Sequence, residues 1–293
     1  MLKQRVLTAV LLAVVFLSVL FFSPLPLFMV FVAVAVLLSA WEWANLAGFS
    51  KPFQRLAYLL VIAVLLAVVA YSNVFQGELT PDNALSDSVV GQMWLLDRDA
   101  VKRILLVACG WWALALLWVQ GYPHSALLWG SRWLRALMGV LVLLPTAVAL
   151  IYLRGQPAGA WLILLMVTVV VTADVGAYFS GKAFGKHKLA PAVSPGKSWE
   201  GFLGGLASSV MMAIVVGAAF GVDQLWGLLL LIVPTSLASV LGDLLESMLK
   251  RHRGLKDSSH LLPGHGGILD RVDSLTAAAP VFAMALMLSN WKV

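Results

Sequence analysis

The stretch GDLLESMLKRHRGLKDSSHLLPGHGGILDRVD, from Gly242 to Asp273, decides how the rest of the chain is interpreted. It follows an almost wholly apolar run, yet it holds five of the chain's fourteen acidic residues and three of its five histidines. Several of its polar residues recur at the helical spacing i, i+3, i+4 and i+7, which places them on one stripe of a helix. They are Asp243, Glu246, Ser247 and Lys250. Because an ionisable side chain beside a hydrophobic span is costly unless it faces a cavity, a metal or a partner, the stretch predicts a functional site.

The composition is that of an integral membrane protein. Of the 293 residues, 61% are hydrophobic and 12% are charged, whereas soluble domains average about 25% charged residues. The mean hydropathy is +0.93. The single cysteine, Cys109, excludes a disulfide framework or a thiolate metal site within one chain. The net charge of +6 suits cytoplasmic loops and anionic lipid headgroups, and we expect no nucleic-acid partner.

About nine apolar stretches approach the roughly 20 residues that a membrane span needs, so we predict an all-α, polytopic fold. The first could pass for a signal peptide, but it lacks a small-residue cleavage site and we expect it to be retained. Pro280 should kink the last span. The nine stretches are Val6–Phe22, Leu27–Leu46, Leu56–Phe75, Ile104–Val119, Leu134–Tyr152, Ala160–Phe179, Phe202–Val222, Leu228–Leu249 and Leu275–Leu288.

The distribution of basic residues predicts the orientation. Strongly basic segments precede the first span and follow the second, fourth, sixth and eighth spans, all on one side if the nine spans alternate. By the positive-inside rule that side is cytoplasmic, and so is the N-terminus. We expect a location in a bacterial inner membrane, with the active site facing the cytoplasm. We divide the chain into an N-terminal region of about five helices (1–155) and a C-terminal catalytic region (156–293), with cytoplasmic loops at 180–198 and 250–272.

A second polar segment, DVGAYFSGKAFGKHKLAPAVSPGKSWEG, runs from Asp174 to Gly201. Asp174 stands at the end of the sixth span, and a lysine- and glycine-rich loop follows it. Lysine and serine side chains can donate to phosphate, and glycines allow the backbone to approach it closely. We expect phosphate binding by Lys182, Ser194, Lys197 and Ser198. The alternative is a basic loop that only sets the topology, with glycines at its turns.

The acidic residues of the opening stretch predict a metal site. Asp243 and Asp270 stand on either side of one loop, and such hard oxygen ligands bind Mg²⁺, which keeps waters and takes substrate phosphates as further ligands. Glu246 and Asp273, one helical turn further along, could support them or hold a second cation. The alternative is a buried ion-pair network involving Lys250 or Arg251. His265 could be a phosphate donor, which we prefer, a metal ligand or a packing residue.

Two other polar or small-residue features lie within predicted spans. Glu42, in the second span, is either a functional acid or a partner for a polar group of a neighbouring helix. The seventh span has small residues on one face, which indicates close helix packing rather than chemistry. Those residues are Gly201, Gly204, Gly205, Ser208 and Ser209.

The C-terminal stretch resembles the signature of the phosphatidate cytidylyltransferase family, also called CDP-diacylglycerol synthases. The matching residues span 27 positions without a departure from the pattern. They read Ser247-x-Leu249-Lys250-Arg251, four residues, Lys256-Asp257-x-Ser259, two residues, Leu262-Pro263-x-His265-Gly266-Gly267-Ile268-x-Asp270-Arg271-Val272-Asp273. The run Ser194-Pro195-x-Lys197-Ser198-x-Glu200-Gly201 is also similar to that family. The first half of the chain is similar only in length and hydrophobicity.

The resemblance implies that CTP and phosphatidic acid react to CDP-diacylglycerol and pyrophosphate, with Mg²⁺, in a polytopic homodimer among membrane lipids. It implies metal ligation by Asp243 and Asp270. Taking residues and resemblance together, we expect catalytic roles for Asp243, Asp270, Lys250, Arg251 and Asp174. We expect substrate binding by Lys182, Ser194, Lys197, Ser198, Ser247, Lys256, His265, Gly266, Gly267 and Arg271. We expect a metal site for Mg²⁺ at Asp243, Asp270, Glu246 and Asp273, in which the last two either support the first two or hold a second cation.

Two other functions remain open at this point. A CTP-dependent kinase of a polyprenol or another lipid alcohol would use the same nucleotide and metal, but it would need a base for a neutral hydroxyl and would release CDP. An ion-coupled transporter would use Asp174, Asp243 and Glu246 as an ion path. It predicts acids near the bilayer midplane, whereas these acids cluster at the cytoplasmic ends of spans.

Overall fold

A computed structural model describes residues 2–74, 97–220, 225–259, 261–262 and 266–289, and these ranges contain nine long helices. A short helix and a two-stranded hairpin complete the described part of the chain. The elements are α1 (Leu2–Phe22), α2 (Leu25–Ala47), α3 (Pro52–Val74), α4 (Arg98–Gln120), α5 (Ala126–Trp129), α6 (Arg132–Arg154), α7 (Gly159–Phe184), β1 (Lys188–Ala190), β2 (Ser194–Ser198), α8 (Trp199–Phe220), α9 (Leu225–His252) and α10 (Leu269–Ser289).

The predicted all-α membrane fold is confirmed. Eight of the helices within the described ranges are long and apolar enough to cross a bilayer, and the apolar part of α1, Val6–Phe22, is shorter. Large apolar side chains such as Leu7, Leu60 and Val107 are exposed on the outer faces. That exposure is what a lipid environment requires, because the hydrocarbon is as apolar as the side chains facing it.

Helices α7 and α9 continue beyond the predicted ends of their spans. With 28 residues, α9 is about 42 Å long, whereas the hydrocarbon core is about 30 Å thick. The predicted loops at 180–198 and 250–272 are therefore partly helical, because residues 180–184, 250–252 and 269–272 belong to α7, α9 and α10. Helical periodicity continues through polar residues after the hydropathy has fallen, and hydropathy alone places the boundary too early.

The segment between α7 and α8 forms an antiparallel hairpin, which the sequence did not predict. Lys188 pairs with Ser198 and Ala190 pairs with Ser194. Arg251 Nε of α9 donates to Val193 O at 3.3 Å, and the Val193 side chain is buried. The hairpin is thereby tied to the end of α9.

Close packing of α7 against α8 confirms the interpretation of the small-residue face. A Cβ atom at Gly205 would lie 2.6 Å from the carbonyl oxygen of Ala173. Side chains added at Gly176 and Gly204 would overlap Ser208 and Ser180. The two helix backbones therefore approach each other more closely than larger residues would allow.

One hydrophobic core includes residues from both regions of the chain. Trp43 of α2, Met138 of α6 and Phe282 of α10 belong to it and are buried. Thr146 Oγ1 of α6 donates to Thr276 O of α10 at 2.9 Å. The division into 1–155 and 156–293 thus stays a description of the sequence, and the two regions pack as one body.

Candidate active site

A polar cleft of about 430 Å³ opens between α7, the hairpin, α8 and α9. Acidic, basic and glycine residues share its lining with a few apolar side chains. The lining residues are Asp174, Ala177, Tyr178, Gly181, Lys182, Leu189, Gly196, Lys197, Ser198, Gly201, Phe202, Val240 and Asp243. The cleft therefore brings together both polar segments that the sequence singled out.

One wall of the cleft combines a lysine with two acids. Lys197 Nζ lies 2.6 Å from Asp243 Oδ2, and both side chains are partly accessible. Ser247 Oγ donates to the other carboxylate oxygen of Asp243 at 3.1 Å. Asp174 of α7 is close enough for its charge to interact with those of Lys197 and Asp243. Further along α7, Lys182 Nζ lies 5.8 Å from the ring centre of Tyr178, and both residues line the cleft.

A buried cluster of carboxylates lies between α9 and α10, around Lys250. Lys250 Nζ lies 2.8 Å from Asp270 Oδ1 and 3.3 Å from Glu246 Oε1. Glu246 is only 3% exposed, and neither of its carboxylate oxygens accepts a well-aligned hydrogen bond from the described residues. The charge of Asp273 interacts with those of Glu246 and Asp243. The ion-pair network that was the alternative to a metal site is thus present around Lys250.

Asp270 is held by the loop that precedes it. Its carboxylate accepts hydrogen bonds from Gly267 N at 2.8 Å and from Ser258 Oγ at 2.9 Å, and a third from the backbone N of Ser258 at 3.0 Å. Gly266 has a positive φ of 82°, and a Cβ there would lie 2.8 Å from Asp270 Oδ2. The glycine pair of the signature therefore allows the backbone to close around this carboxylate. A direct contact of Gly266 and Gly267 with substrate stays a prediction.

Glu42 of α2 reaches the same loop from the N-terminal half of the chain. It is 1% exposed and accepts hydrogen bonds from Ser259 Oγ at 2.6 Å and Ser258 Oγ at 3.0 Å. The backbone N–H groups of Ile268 and Leu269, at the start of α10, donate to it at 3.0 and 2.7 Å. Of the two interpretations of Glu42, the structure supports a partner for polar groups of a neighbouring helix.

The residues present fit a bound cation, although they do not form a complete ligand set. Within the described ranges, no three acidic or histidine side chains converge closely enough to hold a metal by themselves. Among the described residues, five carboxylates nevertheless stand near three lysines, and the buried oxygens of Glu246 accept no well-aligned hydrogen bond although Lys250 Nζ lies 3.3 Å from Oε1. Magnesium commonly takes one or two protein carboxylates and completes its shell with water and substrate phosphates. The carboxylates are Asp174, Asp243, Glu246, Asp270 and Asp273, and the lysines are Lys182, Lys197 and Lys250.

Several predicted site residues lie outside the lining of the cleft. Ser194 is at the far end of the hairpin, and Arg251 contacts the hairpin turn. Lys256 and Arg271 are exposed on the loop and on the first turn of α10. Their roles toward substrate remain predictions. His265 lies outside the described residues.

Glu200 is a residue whose structural role was not anticipated. Its carboxylate accepts hydrogen bonds from Lys186 N at 3.1 Å and His187 N at 3.2 Å, and it lies 2.7 Å from His187 Nδ1. Ser198 Oγ accepts from Gly201 N at 3.1 Å. A serine followed by an acid in the first helical turn is typical of a helix start, so the local signal was available. The contact of Glu200 with Lys186 and His187 in the basic loop is long-range, and no local sequence signal predicted it.

An apolar pocket of about 530 Å³ adjoins the polar cleft. It lies between α4, the hairpin, α8 and α9, and α4 contributes Trp112 and Leu116. The two cavities share Leu189, Phe202 and Val240 in their walls. A charged site and an apolar site are therefore separated by no more than one layer of side chains.

Comparison with known proteins agrees with this geometry. The model of the cytidylyltransferase family matches residues 3–289. A phosphatidate cytidylyltransferase of Pseudomonas aeruginosa is 45% identical over 294 residues, which cover 99% of each chain. One of Haemophilus influenzae is 41% identical over 296 residues, covering 97% of this chain and 98% of the relative. One of Brucella suis is 39% identical over 198 residues, or 65% of this chain and 67% of the relative. On these matches and this site, the chain belongs to the cytidylyltransferase family.

Proposed function

We propose that this cytidylyltransferase transfers the cytidylyl group of CTP to phosphatidate and forms CDP-diacylglycerol and pyrophosphate. The observation that carries the proposal is the shared wall between the polar cleft and the apolar pocket at Leu189, Phe202 and Val240. Phosphatidate joins an anionic phosphate to two acyl chains, and CTP is wholly polar. A polar cleft beside an apolar pocket suits this pair of substrates.

The chemistry requires alignment and charge neutralisation more than proton transfer. An oxygen of the phosphatidate phosphate attacks the α-phosphorus of CTP. A new P–O–P bond forms, the bond from the α-phosphorus to the oxygen bridging to the β-phosphate breaks, and pyrophosphate leaves. The attacking oxygen is already anionic, so a strong general base is not needed. Groups that neutralise the phosphates and hold them in line therefore supply most of the catalysis.

The lysines that line the cleft support this proposal. Lys197 and Lys182 line the cleft and carry charges that can pair with phosphate oxygens. Lys197 is now paired with Asp243 at 2.6 Å, so an arriving phosphate would compete with that carboxylate. Lys250 is 12% exposed between Glu246 and Asp270, and its charge offsets those of the buried carboxylates.

We further propose that Asp243 and Asp270 hold Mg²⁺, with Glu246 and Asp273 in support or at a second cation. The observations in favour are the surplus of carboxylates and the burial of Glu246, whose Oε1 has Lys250 Nζ at 3.3 Å and whose oxygens accept no well-aligned hydrogen bond from the described residues. A divalent cation there would offset this negative charge and would supply charge stabilisation for the triphosphate during the reaction. The chain's residues would orient the carboxylates toward it.

The decisive experiment identifies the nucleotide product. Purified protein in detergent micelles is supplied with CTP, phosphatidate and Mg²⁺, and we expect CDP-diacylglycerol and pyrophosphate in equal amounts. A lipid alcohol replaces phosphatidate in the parallel reaction. Release of CDP together with a phosphorylated alcohol, without any CDP-diacylglycerol or pyrophosphate, would favour the lipid-alcohol kinase instead. If neither the cytidylyl transfer nor the phosphorylation of the alcohol occurs, and vesicles containing the protein take up a solute in response to an ion gradient, the transporter would be favoured.

The apolar pocket can be tested separately as the acyl-chain site. Ala113 lines it from α4 and is exposed toward it, so Ala113→Trp should fill space without disturbing the core. We expect the KM for phosphatidate to rise at least about fivefold and that for CTP to stay within about twofold. The matched control is Leu114→Trp, since Leu114 is exposed on the same helix but outside the pocket. Equal effects of both variants would contradict this assignment.

We also propose that the site faces the cytoplasm of a bacterial inner membrane, and that the protein is a homodimer. The first is supported by the alternation of basic segments and the second by the family resemblance alone. Crosslinking in native membranes, followed by mass determination, would test the dimer.

A further inference from the structure

We propose that Glu42 is a positioning residue: through Ser258 and the start of α10 it holds the loop before α10, and with it Asp270 in the first turn of that helix, in the catalytic conformation. The inference rests on the proposed function for its kinetic consequences, and on geometry alone for its structural ones. Glu42 lies in the half of the chain where the sequence carries few polar residues. Its contacts reach across 216 to 227 residues of sequence.

Among the described residues, the hydrogen-bond partners of Glu42 are all donors. Two are backbone N–H groups of Ile268 and Leu269, at the positive end of α10, and two are the hydroxyls of Ser258 and Ser259. The two oxygens of a carboxylate offer about four acceptor positions, so these four donors can all be accommodated.

Ser258 connects Glu42 to Asp270. Its Oγ lies 3.0 Å from Glu42 Oε2 and 2.9 Å from Asp270 Oδ2, so a single hydroxyl proton serves two carboxylates. The backbone N–H of Ser258 also donates to Asp270. A shift of Ser258 would therefore move donors away from both acids at once.

Gly267 shows how little space this arrangement leaves. A Cβ atom there would lie 2.5 Å from Glu42 Oε2 and would overlap Ser258 Oγ. The N–H of Gly267 also donates to Asp270 Oδ2 at 2.8 Å. The loop is thus packed directly between the two carboxylates, and its conformation depends on both.

The test compares Glu42→Gln and Glu42→Asp with a matched control. Glutamine keeps the size but replaces one acceptor oxygen by an NH₂ donor, which opposes the donors of the loop. Aspartate keeps the charge but is one methylene shorter. The control, Thr146→Val, removes the hydrogen bond from α6 to Thr276 O. It thereby weakens another buried contact to α10, remote from the loop.

For Glu42→Gln we expect kcat to fall at least about tenfold. The KM for CTP should stay within about twofold, because Glu42 does not line the polar cleft, in which we propose that CTP binds. The Mg²⁺ concentration for half-maximal rate should rise. Glu42→Asp should recover part of kcat. Thr146→Val should lower the unfolding temperature but leave kcat and the Mg²⁺ dependence within about twofold of wild type.

Hydrogen–deuterium exchange tests the structural part without any reaction. Peptides containing Ile268 and Leu269 should exchange faster in Glu42→Gln and as in wild type in Thr146→Val. If wild-type protein forms no CDP-diacylglycerol, the proposed function fails and the exchange result alone decides the inference. Unchanged exchange and unchanged kcat in Glu42→Gln would overturn it. The inference would also be overturned if, in all three variants, activity fell in the same proportion to the drop in unfolding temperature.

Discussion

Asp243 and Asp270 occupy different surroundings at the site. Asp243 lines the open cleft and contacts Lys197 and Ser247, whereas Asp270 accepts several hydrogen bonds from the loop before α10. Each is also paired with a lysine, Asp243 with Lys197 at 2.6 Å and Asp270 with Lys250 at 2.8 Å, so a cation bound by either carboxylate would compete with a lysine.

Asp243→Asn and Asp270→Asn test the metal assignment at the residue scale. Each keeps the shape and removes the charge, so we expect folded protein whose turnover falls at least about 100-fold, or about 2.7 kcal/mol in the barrier. Turnover measured across a Mg²⁺ titration checks this. Asp257→Asn, on an exposed part of the loop, is the control and should cost much less. Near-native activity of both variants at low Mg²⁺ would instead favour the ion-pair interpretation.

Lys197→Gln tests phosphate binding at the cleft. It should raise the KM for CTP at least about fivefold, because a charge-assisted contact to phosphate is lost. Steady-state kinetics give the value, and a normal amount of protein in the membrane shows that insertion is intact. Lys186→Gln is the matched control, since Lys186 belongs to the same basic segment but does not line the cleft. Equal KM values for the two variants would favour a role in topology only.

Among the elements, the α7–α8 pair depends on glycine at its contact. Gly205→Val should lower the free energy of unfolding by about 1–3 kcal/mol, because the added side chain meets the Ala173 carbonyl. Thermal unfolding in detergent measures the change. Gly110→Val on α4 is the control, since nothing lies within 4 Å of a Cβ at that position. A similar loss in both variants would mean that valine itself, and not the contact, is responsible.

Arg251 can now be tested as an anchor of the hairpin. Its contact is Val193 O, so Arg251→Gln should raise the KM for CTP and also increase protease cleavage within residues 186–198. Direct phosphate binding predicts the same rise in KM with unchanged cleavage. Limited proteolysis beside the kinetic assay therefore separates the two roles.

For the whole molecule, the predicted orientation places both polar segments on the cytoplasmic side. Cysteines introduced at Ser194 and Lys256, after replacement of Cys109 by serine, should react with an impermeant maleimide only in inside-out vesicles. Both positions are accessible enough for the reagent. Labelling of either cysteine in right-side-out vesicles would contradict the topology.

The sequence by itself was enough for the membrane class and the approximate helices, because hydropathy and helical spacing are local properties. The polar stripe from Asp243 to Lys250 is on one helix, as the spacing predicted. The signature also identified the family that the comparisons confirmed. The helix ends were less accurate, because α7 and α9 continue where hydropathy has already fallen.

Only the tertiary structure decided which groups meet. The pairing of Lys197 with Asp243, the hairpin held by Arg251 and the apolar pocket beside the cleft depend on elements brought together by packing. Glu42 is the clearest case, because nothing near it in sequence indicates a loop more than 200 residues away. A buried carboxylate is stable only where donors surround it, and those donors are assembled by folding.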